Sequence, residues 1–163
     1  MIVIIEGLDG VGKTTFAKKF AEMTGFEYVK ESYTDDVIDK EQRLIRLKNR
    51  LKEEKNYIYD RTTMIDDFVY GFLNQTESSL IKYKEHILEV LSKCKIFHLT
   101  VDEQTRKKRF EERGDEFVTE EMISKIKDCY LQFYKQLSNV EYFDLSNDNE
   151  ENVKKMIRRI CND

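Results

Sequence analysis

A glycine-rich segment directly after an apolar N-terminal run is the feature that most constrains the fold of this chain. Residues 7–15 read Gly-Leu-Asp-Gly-Val-Gly-Lys-Thr-Thr, which contains a complete G-x-x-x-x-G-K-[ST] pattern. The apolar, mostly β-branched residues 1–5 before it predict a buried strand, and residues 14–21 after it predict an amphipathic helix. A strand, a glycine loop and a helix in this order are typical of a P-loop.

A P-loop binds phosphate through its backbone and its lysine. The glycines let successive N–H groups point at phosphate oxygens, and the start of the helix adds its positive dipole end. Lys13 is then placed to reach the β- and γ-phosphates, and the Thr14 hydroxyl is placed to hold Mg²⁺, the expected metal. The predicted nucleotide-binding residues of the loop are Gly7, Asp9, Gly10, Val11, Gly12, Lys13, Thr14 and Thr15.

Composition excludes several classes of partner. The 163 residues carry a net charge of −4, which argues against broad affinity for nucleic acid or anionic membranes. No apolar run reaches the length of a membrane helix, and the N-terminal run lacks the basic segment of a signal peptide. We therefore expect a cytoplasmic protein whose three cysteines are reduced.

Strand and helix patterns alternate along the chain. The predicted strands are 1–6, 27–31, 56–60, 95–101 and 141–145, and the predicted helices are 14–24, 36–55, 62–73, 80–93, 103–113, 119–137 and 149–160. This alternation predicts an α/β fold of three layers, in which helices flank a five-stranded parallel sheet. We expect one P-loop domain over residues 1–163, with a charged, lid-like segment near 106–119.

Asp60 and Arg61 follow the third predicted strand. A carboxylate beside a P-loop can hold Mg²⁺ or its waters, and an arginine there can bind an anionic acceptor through its planar fork. The alternative is that Asp60 only caps the following helix.

Two rows of arginines lie on predicted helices. Arg106, Arg109 and Arg113 have the spacing i, i+3, i+7, which places them on one helix face, where they could stabilise the charge of a transferring phosphoryl group. The alternative is a solvated charged face. For the second row, Arg43, Arg46 and Arg50, the surrounding lysines and glutamates favour a solvated stripe over a phosphate site.

Other candidate residues lie at the ends of strands. Glu31 ends the second predicted strand, where it could act as a general base for an acceptor hydroxyl or simply be exposed. Tyr33 and Tyr70 are the best candidates for stacking on a base. His98, inside an apolar strand, is interpreted as a structural histidine.

These motifs together resemble the thymidylate-kinase-like nucleotide kinases of the P-loop superfamily. Residues 5–15 are similar to the E-G-x-[DE]-G-x-G-K-[ST]-T motif of that family, and Asp60-Arg61 is similar to its D-R-Y. Residues 99–114 resemble its L-x-V strand followed by an arginine-rich lid, and residues 143–146 resemble its closing strand. Only the P-loop and the Asp60-Arg61 pair are specific on their own.

The resemblance implies a P-loop kinase fold and Mg²⁺-dependent transfer of the ATP γ-phosphoryl group to a nucleoside monophosphate, with dTMP or a related deoxynucleotide as the expected acceptor. It also implies roles by position, among them a contact of Asp9 with the acceptor sugar. The implied catalytic residues are Lys13, Arg61, Arg106, Arg109 and Arg113, and Thr14 and Asp60 would hold the metal. The implied acceptor-binding residues are Asp9, Lys30, Glu31, Tyr33, Arg61 and Tyr70, and Asn147, Asp148 and Asn149 would wrap the adenine of ATP.

Departures from the family motifs leave the acceptor open. Lys30 stands where the family has an acceptor-phosphate arginine, Thr62 replaces the tyrosine of D-R-Y, and Tyr70 replaces a polar base contact. The alternatives are a deoxynucleoside kinase, with Glu31 as the base on a 5′-hydroxyl, and a nucleotide-dependent switch, although the chain has no N-K-x-D guanine signature. The expected partners are ATP and a nucleoside monophosphate or nucleoside, with no nucleic acid and no membrane. A homodimer is compatible with the sequence.

Overall fold

The computed structural model describes residues 1–113, 119–145 and 147–161. The strands are β1 (Ile2–Glu6), β2 (Glu27–Lys30), β3 (Tyr57–Asp60), β4 (Lys95–Thr100) and β5 (Val140–Asp144). The helices are α1 (Lys13–Thr24), α2 (Val37–Arg50), α3 (Thr63–Leu73), α4 (Lys84–Ser92), α5 (Glu103–Arg113), α6 (Glu120–Tyr134) and α7 (Asn149–Cys161). A 3₁₀ turn (Ile81–Tyr83) leads into α4.

The strands form one parallel sheet in the order β2-β3-β1-β4-β5. Helices α1 and α7 pack on one face, and the apolar residues of α2, α3, α4 and α6 pack on the other. The predicted α/β fold with a five-stranded parallel sheet between helical layers is confirmed. All five strands lie within one residue of their predicted bounds.

The helix bounds differ most from the predictions in α2, α4 and α6. Helix α4 begins at Lys84 rather than at residue 80, because the 3₁₀ turn occupies the segment before it. Helix α2 ends at Arg50 rather than at residue 55, and α6 ends at Tyr134 rather than at residue 137. In both places the chain continues in turns, and one leucine of each tail, Leu51 or Leu137, packs against the core. Gly25 caps α1, as expected from its position, with φ of 75° and an N–H bond to the Ala21 carbonyl.

Alternation along β1 divides the core into two parts. Ile2 and Ile4 pack with the helices of one face, whereas Val3 and Ile5 pack against α1 and α7 on the other. All four side chains are buried because helices cover both faces of the sheet. This explains why the sequence of this central strand is a continuous apolar run. His98 of β4 is also buried, and its Nδ1 lies 2.9 Å from the Tyr134 hydroxyl. Burial lowers the pKa of His98 to about 4, in agreement with a structural role.

The strand order determines where a ligand can bind. Strand β1 lies between β3 and β4, so the loop after β1 opens at the carboxyl edge between two neighbouring strand ends. In open parallel sheets this position is the usual crevice for ligands. Among the described residues, no helix combines the length and apolar character needed to cross a membrane.

Candidate active site

A large cavity lies at the carboxyl edge of the sheet. Its volume is about 1110 Å³, slightly above the range of about 300–1,000 Å³ that is usual for small-molecule sites. The lining residues come from the P-loop, the β2 and β3 ends, and helices α3, α5 and α7, and include Asp9, Gly10, Val11, Gly12, Lys13, Thr14, Thr15, Lys30, Glu31, Tyr33, Asp60, Arg61, Asp66, Tyr70, Arg109 and Asn149. Most of the residues that the sequence predicts to bind donor, metal or acceptor therefore share one space.

Lys13 is the buried cation of the P-loop. Its Nζ donates hydrogen bonds to the carbonyl oxygens of Gly7 and Leu8 at 2.8 and 2.7 Å, and lies 3.8 Å from an Asp9 carboxylate oxygen. Burial, with the Arg61 cation adding to it, lowers the pKa of Lys13 to about 8. At neutral pH the side chain is still mostly protonated, so it can stabilise a phosphate charge.

Helix α5 covers the P-loop, and two glycines make this contact possible. A Cβ at Gly10 would lie 2.8 Å from the Phe110 ring, and a Cβ at Gly12 would lie 3.0 Å from an Arg109 guanidinium nitrogen. Both glycines have positive φ, 83° and 98°, which other residues rarely adopt. Gly10 and Gly12 therefore have two roles: they allow the backbone turn of the P-loop, and they leave room for α5 to pack closely on it.

Thr14, Asp60 and Tyr28 form an oxygen-rich corner beside the P-loop. The Thr14 hydroxyl donates to Asp60 Oδ2 at 2.6 Å, and the Tyr28 hydroxyl donates to the same oxygen at 2.9 Å. Asp60 does not cap α3, since the Thr62 side chain accepts from the Met64 N–H and is the N-cap. A hydroxyl and a carboxylate suit Mg²⁺, which binds few protein ligands and completes its shell with water and phosphate. The pair therefore fits the metal that the motif implies.

Asp9 and Arg61 form an ion pair across the middle of the cavity. The Arg61 N–H donates to the Ile5 carbonyl at 3.0 Å, and the residue has φ of 68°, a left-handed conformation that costs a non-glycine residue of order 1–3 kcal/mol. The ion pair with Asp9 holds the guanidinium beside the P-loop, at the cavity that both residues line.

Glu6, the last residue of β1, holds the turn that carries Arg61 through a hydrogen bond to the neighbouring Thr62 N–H. It is fully buried, and its carboxylate accepts from the Thr62 N–H at 2.9 Å and from the Tyr130 hydroxyl at 3.4 Å. Burial, with the Asp66 charge adding to it, raises the pKa of Glu6 well above its ordinary value. The carboxylate ties β1 to the turn that carries Arg61.

Glu31 lies at the cavity wall beyond Arg61. Its carboxylate accepts from the Thr63 N–H at 2.7 Å, which orients it at the start of α3. Lys30 and Tyr33 are exposed, and the Tyr33 hydroxyl bonds to Asp35. These three predicted acceptor residues line the cavity together.

The arginines of the α5 row differ in their contacts and exposure. Arg109 lies on the cavity and donates to the Gly10 and Val11 carbonyls at 3.2 and 2.7 Å. Arg106 is only 3% exposed, pairs with Glu103 and lies over the Phe110 ring. The side chain of Arg113 and the lid residues 114–118 lie outside the described residues.

The second row is used within the protein. Arg43 donates to the Thr63 hydroxyl at 2.8 Å and pairs with Asp39, and Arg50 donates to the Tyr59 hydroxyl at 2.7 Å. Arg46 is exposed. The expected solvated stripe therefore holds for Arg46, whereas the other two arginines fasten α2 to neighbouring elements.

Of the three residues predicted to bind adenine, Asn147, Asp148 and Asn149, only Asn149 is among the described residues that line the cavity. Asn149 lines the cavity, Asp148 accepts from the Glu151 N–H at 3.0 Å at the start of α7, and the Asn147 carbonyl accepts from the Asn152 amide at 2.7 Å. Asp148 and Asn147 thus shape the loop, and Asn149 faces the space.

The sequence reasoning missed Tyr28, Glu6 and Asp66 as members of the site. Glu6 ends the apolar run of β1, and Asp66 interrupts the apolar positions in the first turns of α3. An acidic residue next to or within an apolar segment was the signal in the sequence that could have identified them. Asp66 lines the cavity, and its Oδ1 is shielded from solvent with no hydrogen-bond partner among the described residues. Burial raises the pKa of Asp66 to about 6, although Arg61 acts in the opposite direction.

Comparison with protein families gives a match over most of the chain. A family model described as an AAA domain matches residues 3–128. The SPbeta prophage-derived uncharacterized protein YorR of Bacillus subtilis (strain 168) is 28% identical over 133 residues, 80% of this chain and 80% of the relative.

Solved structures share the fold over nearly the whole length. YorR from Bacillus subtilis, in complex with phosphorylated GDP, has a TM-score of 0.72 at 22% identity and covers 98% of this chain and 95% of its own. Deoxyadenosine kinase from M. mycoides with bound dCTP has a TM-score of 0.64 at 21% identity, covering both chains completely. Thymidylate kinase from Candida albicans has a TM-score of 0.61 at 14% identity, covering 98% of this chain and 90% of its own. At these identities the likeness concerns the fold alone.

Proposed function

The chain belongs to the AAA-domain family of P-loop proteins, and from this premise we propose that it transfers the γ-phosphoryl group of ATP to a deoxynucleoside monophosphate. The observation that carries the proposal is the continuous cavity from Lys13 and Arg109 at one end to Lys30 and Glu31 at the other. It is large enough for two nucleotides end to end, as a direct transfer requires, and Arg61 lies between the two ends.

The chain's own residues would act mainly by position and charge. Lys13 and the P-loop N–H groups would bind the β- and γ-phosphates, and Arg109 would neutralise charge on the transferring group from the α5 side. Arg61, held by Asp9, would bind the acceptor phosphate through its planar fork. Arg106 would act by holding α5 on the loop rather than by touching a phosphate.

Mg²⁺ is part of the proposal through Thr14 and Asp60, the two residues that would hold it or its waters. Bound there, it would supply positive charge that offsets the negative charge of the ATP phosphates during transfer. Tyr28, which donates to the same Asp60 oxygen as Thr14, would keep the carboxylate oriented.

The relatives support this class of reaction at different levels. Deoxyadenosine kinase and thymidylate kinase share the fold, and YorR is described with a phosphorylated GDP. These neighbours favour a nucleotide phosphotransferase over a nucleotide-dependent switch. The Asp9–Arg61 pair favours a charged acceptor, since a guanidinium held at this place suits a phosphate.

A deoxynucleoside kinase is the second candidate, because one contact favours it. The Glu31 carboxylate is oriented by the Thr63 N–H at 2.7 Å and faces the cavity, as a general base for a 5′-hydroxyl would. In that reaction Glu31 would take the hydroxyl proton as the 5′-oxygen attacks the γ-phosphorus, and the bond from that phosphorus to the β,γ-bridging oxygen would break to release ADP.

Two substitutions separate the candidates. With a monophosphate acceptor, Arg61→Ala should raise KM at least about tenfold, since a charge-assisted contact to phosphate is lost. Glu31→Gln should leave monophosphate turnover within about threefold, because no hydroxyl proton has to be removed. The measurements are steady-state kinetics with identification of the phosphorylated product by mass spectrometry.

The opposite pattern would overturn the leading candidate. Phosphorylation of nucleosides in preference to monophosphates, together with an inactive Glu31→Gln enzyme, would establish the nucleoside kinase instead. An unchanged KM for monophosphates in Arg61→Ala would remove the acceptor role proposed for this residue.

A further inference from the structure

One carboxylate oxygen of Asp9 contacts two cations of the cavity. Asp9 Oδ1 forms the ion pair with the Arg61 guanidinium, and the same oxygen lies 3.8 Å from Lys13 Nζ. In the proposed function Lys13 binds the donor phosphates and Arg61 binds the acceptor phosphate. A negatively charged oxygen of the protein itself therefore touches both groups that would hold phosphates on the two sides of the transfer.

The two cations need an anion at this place. The side chains of Lys13 and Arg61 are 6% and 25% exposed, so water screens their mutual repulsion poorly. Burial, with the Arg61 charge adding to it, lowers the pKa of Lys13 to about 8, whereas the Asp9 charge acts to raise it. Burial also acts to lower the pKa of Arg61, but carboxylate charges outweigh burial and raise it, and the charge of Asp9 is the largest of these.

Asp9 is the mobile partner of this arrangement. Its side chain is 59% exposed, so a rotation about its side-chain bonds can carry the carboxylate into water. Lys13 Nζ, by contrast, donates to two loop carbonyls at 2.8 and 2.7 Å, and the backbone N–H of Arg61 is bonded to the Ile5 carbonyl. The two cations can therefore stay near their present positions when the Asp9 carboxylate leaves.

We propose that Lys13 and Arg61 form one phosphate subsite, and that Asp9 occupies it as an internal anion which a small anion must displace. This inference rests on the proposed function for the ligands that the subsite serves, the phosphates of the donor and the acceptor. A small anion binds only to molecules in which the Asp9 carboxylate has turned away, so its apparent affinity falls with the fraction of such molecules. An Asp9 contact that is formed in about nine molecules of ten weakens that affinity about tenfold.

The internal anion discriminates between ligands by the contacts they offer in return. Inorganic phosphate or pyrophosphate must replace Asp9 with little besides its own charge. ATP and an acceptor monophosphate together bring phosphate oxygens to both cations and also contact the P-loop N–H groups and the rest of the cavity. Asp9 therefore disfavours small inorganic anions in the empty site. It is a regulatory contact in this role and not a catalytic residue.

The test measures the binding of pyrophosphate, without Mg²⁺ and at constant ionic strength, by isothermal titration. Asp9→Asn keeps the size of the side chain and removes its charge, and it should bind pyrophosphate at least about tenfold more tightly than the wild type. Glu31→Gln is the matched control, because it removes the same charge from a carboxylate of the same cavity that is bonded to the Thr63 N–H. It should change the affinity by less than about threefold, since salt screens a charge that is not in contact with the anion.

A double-mutant comparison shows whether Asp9 acts through Arg61. In an Arg61→Ala protein, Asp9 has only Lys13 left to neutralise, so adding Asp9→Asn should tighten pyrophosphate binding by about threefold or less. Asp9→Ser repeats both measurements if Asp9→Asn does not fold. Pyrophosphate carries no sugar, so the contact with an acceptor sugar that the sequence predicts for Asp9 does not enter the result.

Three results would overturn the inference. Equal gains in Asp9→Asn and Glu31→Gln would show a general effect of charge, and unchanged or weaker binding in the folded Asp9 variants would show that Asp9 does not compete with anions. An undiminished gain in the Arg61→Ala background would show that the contact with both cations is not responsible.

Failure of this inference is distinguishable from failure of the proposed function, because no phosphoryl transfer is measured. A protein that phosphorylates no acceptor would overturn the proposed function, whereas its pyrophosphate affinities would still decide the role of Asp9. Transfer to a monophosphate together with equal pyrophosphate affinities in the wild type and Asp9→Asn would overturn the role of Asp9 alone.

Discussion

At the scale of single residues, the site depends on charges that the protein has removed from water. Lys13 and Asp60 are buried, and Asp9 fixes Arg61 across the cavity. Interactions between such groups are stronger than at the surface, because the surrounding dielectric is low. A substitution at one of them should therefore have effects that the same substitution on an exposed helix does not have.

Lys13 gives the first prediction. Lys13→Ala removes the cation nearest the transferring phosphate, and kcat should fall about a hundredfold or more, the usual loss when such a stabilising group is removed. The measurement is steady-state turnover of protein that retains its circular dichroism spectrum. Lys48→Ala, at an exposed position of α2, is the matched control and should keep normal turnover. Normal turnover in folded Lys13→Ala would rule out the P-loop mechanism.

At the scale of elements, α5 is the part of the fold whose role the sequence described least well. Spacing alone places Arg106 and Arg109 on one face, but Phe110 packs on Gly10 and separates them. Arg109 then reaches the loop carbonyls, whereas Arg106 is buried against Glu103. The spacing could not reveal this division, because it depends on how the helix docks on the P-loop.

Substitutions in α5 should separate stability from catalysis. Arg106→Ala should lower the free energy of unfolding by about 1–3 kcal/mol, since a buried side chain and its ion pair are lost. Arg109→Ala should leave stability nearly unchanged and lower kcat at least about tenfold, because the contact proposed for Arg109 with the phosphoryl group would strengthen in the transition state. The measurements are denaturant unfolding and steady-state kinetics on both variants.

The control for α5 is Arg158→Ala, in the exposed part of α7, which should change neither quantity. Arg109→Ala with kcat within about twofold of the wild type would reduce this residue to a structural contact with the loop. Equal losses of stability in both variants would show that the two arginines have the same role.

At the scale of the whole molecule, the sequence was most informative where one segment contains the whole signal. Residues 7–15 carry their own turn, anion site and helix start, and the apolar runs of β1, β3 and β4 are buried on both faces as continuous apolar strands predict. The alternation of elements was therefore enough for the fold. Features that depend on contacts between distant segments could not be read in this way, among them the burial of Glu6 and the unpartnered oxygen of Asp66.

The central claim is phosphoryl transfer from ATP to a nucleoside monophosphate, and its most direct test is ADP release from ATP and Mg²⁺ across a panel of nucleosides and their 5′-monophosphates. We predict that one or more deoxynucleoside monophosphates raise ADP release at least about tenfold above ATP alone, and that Lys13→Ala abolishes the increase. The same slow ADP release with and without every acceptor would contradict the account, since the protein would then hydrolyse ATP rather than transfer its phosphoryl group.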